Sequence, residues 1–148
     1  MTRHRTTSGA ALALVLGLSL AATGCGKYSW SKLVAQKSYK DANALYGASD
    51  WKGASVKYEE ALKSDPADSN ALYAMGVLRE AQNNAAEAQS FYQKAAEADA
   101  VWTRPLMKLA ALANAAGDRA AASTLLTRVV SIDAASADGQ SAAALLKQ

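Results

Sequence analysis

Cys25 is the only cysteine and His4 the only histidine in this chain of 148 residues. Thiol and imidazole side chains supply most nucleophile-base pairs, most proton shuttles near neutral pH and most zinc ligands. Both stand in the first 25 residues, where His4 is expected to leave with a leader and Cys25 to serve as an anchor point, so the mature chain is expected to have neither for a metal site or for a nucleophile paired with a base. Carboxylates remain, and Glu59 and Glu60 are adjacent. Neighbours on a helix point about 100° apart, so this pair reads as a solvated face rather than an acid and a base aimed at one substrate. No Gly-rich phosphate loop occurs. The inventory predicts that the protein is not an enzyme and has no metal or dissociable cofactor.

The residues before Cys25 give that thiol a different use. Arg3, His4 and Arg5 stand in a stretch without acids and are followed by an apolar run over 10–22. That is the charged n-region and apolar h-region of a signal peptide. The run is too short to span a bilayer, which takes about 20 residues. After it comes Ala22-Thr23-Gly24-Cys25, which resembles the lipobox of bacterial lipoproteins, although Ala22 stands where leucine is commonest. The resemblance implies removal of residues 1–24 and covalent lipid on Cys25, a diacylglyceryl group and an N-acyl group such as palmitate. Lipidation also accounts for a lone thiol in an exported chain. Each buried methylene contributes about 0.8 kcal/mol, so three acyl chains would hold the protein to a membrane that it does not span. Gly26 follows the cysteine, where an aspartate would retain a lipoprotein at the inner membrane in well-studied Gram-negative sorting. By that analogy the protein faces the periplasm from the outer membrane.

The positions beyond Cys25 call for helices. Hydrophobic residues make up 51% of the chain and many are alanines, the best helix formers, with only two prolines and one phenylalanine. Sixteen basic residues, less Arg3 and Arg5 in the leader, stand against thirteen acidic ones. The expected mature chain is therefore nearly neutral, with no footprint for nucleic acid.

A shift of 34 residues superposes 35–136 on itself. Ala42, Gly76 and Ala110 coincide, as do Ala54, Ala88 and Ala122, then Tyr58, Tyr92 and Leu126, and Ala61, Ala95 and Val129. Asp50, Asn84 and Asp118 recur in mid-unit and Asp65, Asp99 and Asp133 at its end. The pattern is that of paired antiparallel helices. Small residues let the two helices of a unit touch, the tyrosines and Leu126 fill the space beside them, and the mid-unit Asp and Asn residues cap the second helix. Pro66 disfavours helix at Asp65 and ends the first pair.

This resembles the tetratricopeptide repeat. Leu72, Met75 and Gly76, and likewise Leu106, Leu109 and Ala110, answer to the residues that open the family's first helix. Ala88, Tyr92 and Ala95, with Ala54, Tyr58 and Ala61, answer to its second. The closing proline is present only as Pro66, with Ala100 and Ala134 in its place elsewhere. The resemblance implies an all-α solenoid of about three units, near 35–68, 69–102 and 103–136, after a lipidated tether over 25–34. A capping helix over 137–148 is expected to cover the last unit with Ala143, Ala144, Leu145 and Leu146. Ser38 and Asp41 stand where apolar residues are expected, which predicts a first helix that is shifted or exposed.

In that family the first helices line a concave groove that holds partner segments. The matching positions here are Tyr39, Asn43 and Tyr46, then Asn70, Tyr73, Val77 and Glu80, then Arg104, Met107, Lys108 and Asn114. Tyr39, Tyr73 and Met107 share one repeat position and either form a ladder across the floor or pack against neighbouring helices. Eukaryotic members that grip chaperone C-terminal carboxylates use five positions that are Tyr39, Asn43, Ala74, Arg104 and Lys108 in this chain. Three of these suit an anion, so an acidic or C-terminal segment is the expected ligand.

Lys27, Lys32, Lys37 and Lys40, interleaved with Tyr28 and Trp30, precede the first acid of the expected mature chain, Asp41. This stretch either rests on anionic head groups or is a solvated helix face with a tether. Taken together, the expectation is a membrane-anchored scaffold for a protein or peptide partner in the bacterial envelope, supporting assembly of a complex. The alternative is a non-catalytic regulator of an envelope enzyme, for example one acting on the cell wall.

Overall fold

The computed structural model describes residues 23–147, with side chains from Trp30 onwards. The expected leader up to residue 22 lies outside the described residues, as does the side chain of Cys25. Seven α-helices and no strand occur among the described residues: α1 (Thr23–Gly47), α2 (Trp51–Ser64), α3 (Ser69–Ala81), α4 (Ala85–Ala98), α5 (Thr103–Ala115), α6 (Arg119–Ile132) and α7 (Ala137–Leu145). Consecutive helices pair as α1 with α2, α3 with α4 and α5 with α6, and the pairs stack in a row. The fold is a short tetratricopeptide-type solenoid closed by a helix.

The caps explain where the elements start. Asp50, Asn84 and Asp118 accept from the backbone N–H groups of Gly53, Glu87 and Ala121, which opens α2, α4 and α6 at the same place in each unit. Asp68 does the same for α3 and Ser136 for α7. Before α5 stands Trp102, which gives no side-chain cap. The aspartates at the unit ends fold back on the turn: Asp65, Asp99 and Asp133 accept from the N–H groups of Ala67, Val101 and Ala135. The turn inside each unit needs one left-handed residue. Ser49, Asn83 and Gly117 occupy it at φ of 62°, 59° and 81°, and only the third is the glycine that takes this conformation freely.

Packing follows the expected small-large pattern. Ala42, Ala54 and Tyr58 are buried together with Met75 and Leu78. Ala88 and Tyr92 pack on Leu109, and Ala110, Leu126 and Val129 on Leu106 and Ala142. In the middle unit the approach is closest, since a Cβ on Gly76 would lie 2.5 Å from Cε1 of Tyr92.

Three expectations are corrected. The first helix is neither displaced nor exposed over its repeat portion, because Ala35, Ser38 and Ala42 form its buried face. Serine is small enough for close helix contact, and Asp41 is half-buried beside that face, paired with Lys37 at 3.0 Å. The capping helix docks through Gly139 and Ala142, whereas Leu145 and Leu146 are exposed. Residues 25–34, read as a tether, lie within α1.

Candidate binding groove

The first helices bring five of the expected groove residues to one depression of about 200 Å³. Tyr39, Asn43, Tyr46, Tyr73 and Val77 line it, with Tyr58 and Ala74. The two tyrosine readings turn out to be compatible. Tyr39 lies 6.0 Å from the ring of Tyr58, and Tyr73 lies 5.4 Å from Tyr92 and 4.9 Å from Trp102. Both remain half-buried, so one side of each packs on the solenoid while the rest borders the depression. The ladder does not continue to Met107. That side chain lines a second, larger cleft of about 570 Å³ with Asn114, between α5, α6 and the end of α7.

Polar groups around the floor are fixed by the tyrosines of the second helices. The Tyr58 hydroxyl donates to Asn43 Oδ1 at 2.6 Å, which leaves the Asn43 amide nitrogen to donate outward. Burial pushes the Tyr58 hydroxyl up to about 12, so it stays a donor at any working pH. Tyr92 donates to Glu80 Oε2 at 2.6 Å, and Lys108 donates to the same oxygen at 2.9 Å. Burial and then the Glu80 carboxylate push the Tyr92 hydroxyl far up as well. The result ties α4 to α3 and α3 to α5 through a single carboxylate.

That arrangement changes the electrostatic reading of the groove. Lys108 is held by Glu80 and does not present an uncompensated charge. Arg104 is exposed, with no hydrogen-bond or ion-pair partner among the described residues, and Asn70 is likewise exposed. The groups left without a partner among the described residues therefore include the Arg104 guanidinium on α5 and the Asn43 amide nitrogen on α1.

Glu80 also makes stability pH-dependent. Burial pushes its carboxyl up, but the hydrogen bonds from Tyr92 and Lys108 and the charge of Lys108 outweigh burial and hold it below its ordinary 4.5. A carboxyl depressed in the folded state contributes stability above its unfolded value and loses it as pH falls through the folded one. Glu80→Gln is accordingly expected to cost about 1 kcal/mol at pH 7, the low end for charged hydrogen bonds at a part-exposed pair. In urea titrations at stepped pH, the gap to the parent should narrow below pH 4.5. A constant gap down to pH 3 would show that the carboxylate is not what these bonds stabilise.

Sequence reasoning missed Trp102 and Tyr58. Tyr58 was assigned only to packing, and Trp102 stands where the preceding unit has Asp68, a departure from the repeat that marked the position without showing its use. On the opposite side of α3, Arg79 Nε lies 2.8 Å from Glu87 and a second nitrogen lies 3.7 Å from Glu59, joining three helices. Among the described residues no group of three or more His, Cys, Asp or Glu could hold a metal ion, and no helix is long and apolar enough to cross a membrane.

No protein-family model matches the chain, and no curated protein matches it in sequence. Solved structures share the fold. The Yersinia enterocolitica type III secretion chaperone SycD, in complex with a peptide of the translocator YopD, superposes with a TM-score of 0.68 at 19% identity, covering 76% of this chain and 88% of that one. The N-terminal domain of stress-induced protein-1 from C. elegans gives 0.69 at 18%, covering 80% and 98%. The first TPR of Spaghetti (RPAP3), bound to the HSP90 peptide SRMEEVD, gives 0.66 at 14%, covering 79% and 96%.

Proposed function

We propose that this chain is a lipid-anchored scaffold whose first helices hold a segment of a partner protein in the bacterial envelope, supporting assembly of a complex there. The observation that carries the binding part is the tyrosine-lined depression of Tyr39, Tyr46 and Tyr73, bordered by Asn43, with Arg104 exposed on the next first helix, α5. Tyrosine offers contact area at low conformational cost together with a polar tip, a composition that suits an adaptable peptide site. Two of the similar structures hold peptides on the same fold, which supports the reading. The ligand that fits is an extended segment with one apolar side chain for the depression and a carboxylate for Arg104. Anchorage through Cys25, at the outer membrane and facing the periplasm, supplies the placement: it would raise the groove's effective concentration at one surface.

The test is capture after crosslinking in the host. Tyr73→Ala and Arg104→Glu should each reduce recovery of the partner at least ten-fold while far-ultraviolet circular dichroism stays that of the parent. Arg104 is exposed, so its exchange leaves the fold intact. Undiminished capture by both variants would remove the groove from the function. A captured enzyme whose rate changes on binding would favour the regulator over the scaffold.

A further inference from the structure

The repeat portion of α1 is 35–47, the counterpart of α3 and α5, yet the helix starts at Thr23. With α1 at 25 residues and its antiparallel partner α2 at 14, the N-terminal part of α1 projects by roughly 16 Å beyond the end of α2. On this part and just after it, three large apolar side chains face solvent: Trp30 at 67% exposure, Leu33 at 56% and Val34 at 37%. At 100° per residue Trp30, Leu33, Val34 and Lys37 fall within an arc of about 100°, centred some 120° away from the packed face of Ala35, Ser38 and Ala42. Lys40 borders the same arc and is exposed. The helix thus has two apolar faces, one used by the solenoid and one not covered by any described residue.

We propose that the second face, Trp30, Leu33 and Val34 flanked by Lys37 and Lys40, lies on the anionic surface of a lipid bilayer. This rests on the anchor reading in one respect: Leu33 is only about 12 Å along the helix from Cys25, so an acylated Cys25 would bring the stripe to the interface. Charge complementarity selects lipid over other occupants. The stretch 27–40 carries four lysines and no acid, and tryptophan beside lysines on a helix is the composition that settles at head groups. Lys37 pairs with Asp41 only on the exposed surface, where such a pair is weak and exchangeable. Pairing with a second copy through this face would bring together two stretches that each carry four lysines and no acid, which like-charge repulsion opposes. The consequence is an orientation: the solenoid would be held by one helix face at the membrane rather than swinging on a flexible tether.

The experiment uses the unacylated chain from Cys25 to Gln148, which contains every helix packed in the solenoid. It should sediment with vesicles of phosphatidylglycerol and phosphatidylethanolamine, weakly with phosphatidylcholine alone, and less as salt is raised. The combined variant Trp30→Ser, Leu33→Ser, Val34→Ser should bind the anionic vesicles at least ten-fold more weakly with unchanged helicity. Equal sedimentation of the variant, or absence of binding by the parent, overturns the proposal. So does a parent that is dimeric in analytical ultracentrifugation and becomes monomeric in the variant, since the stripe is then a contact between copies. Incorporation of labelled palmitate at Cys25 in cells is read separately. Vesicle binding without labelling keeps the surface and removes the anchor, and labelling without vesicle binding does the reverse.

Discussion

Tyr92→Ala is expected to remove about 3–5 kcal/mol of stability, the range for deleting a fully buried aromatic ring. Tyr92 has no exposed surface, packs with Ala88 and Leu109, and sits 5.4 Å from the ring of Tyr73. Its loss would open a cavity between the second and third units and release the Glu80 carboxylate from its strongest neutral donor. Against a total of about 5–15 kcal/mol for a domain of this size, that removes from about a fifth to all of the stability. Urea denaturation should show a large drop in midpoint. Tyr92→Phe keeps the ring and loses only the hydroxyl, so it should cost about 1–2 kcal/mol. If the alanine and phenylalanine variants fell by the same amount, the ring would not be what the solenoid rests on.

Gly139→Ala is expected to destabilise by about 2–3 kcal/mol, the cost of forcing a methyl group into a filled space. Its sign is informative, because alanine is normally preferred to glycine inside a helix by about 1 kcal/mol. Here the added Cβ would collide with the carbonyl oxygen of Asp133 and lie 2.9 Å from Cα of Ala134. Both are backbone atoms, which no side-chain rotation can clear, so α7 has to move away. That withdraws Ala142 from Leu106, Ala110, Leu126 and Val129. In a row of units that touch only their neighbours, the damage should stay at that end. Hydrogen exchange should speed up in α5 and α6 while α1 to α4 keep their protection. A neutral or stabilising effect would mean that α7 is not seated as described.

The register of the repeat made the helices legible. α2, α4 and α6 begin at residues 51, 85 and 119, and α3, α5 and α7 at 69, 103 and 137, because each unit repeats the cap of its second helix and its small-residue contacts. The placement of Tyr39, Asn43, Tyr46, Tyr73 and Val77 around one depression was legible for the same reason. What escaped depended on partners distant in sequence. Lys108 counted as an available cation until α3 and α5 set Glu80 beside it. Ser38 read as a break in an apolar face, although the helix contact there needs small size more than hydrophobicity. Leu145 and Leu146 were expected inside, yet a nine-residue helix docks on the residues that let its backbone come closest, Gly139 and Ala142. Of the spare apolar face of α1, Trp30 and the lysines were in view but Leu33 and Val34 were not, because from sequence alone nothing says where a helix outlasts its partner.

The contact between Gly76 and Tyr92 has an electrical meaning as well as a steric one. In the first unit a methyl group occupies that place, as Ala42, and the tyrosine hydroxyl turns to the neutral Asn43. In the middle unit the missing methyl lets the ring lie over the backbone and reach Glu80, whose oxygen then also takes Lys108. One absent carbon thereby converts two mobile ions into a fixed dipole across the centre of the groove. The field there is set by backbone clearance, at a residue that carries no charge.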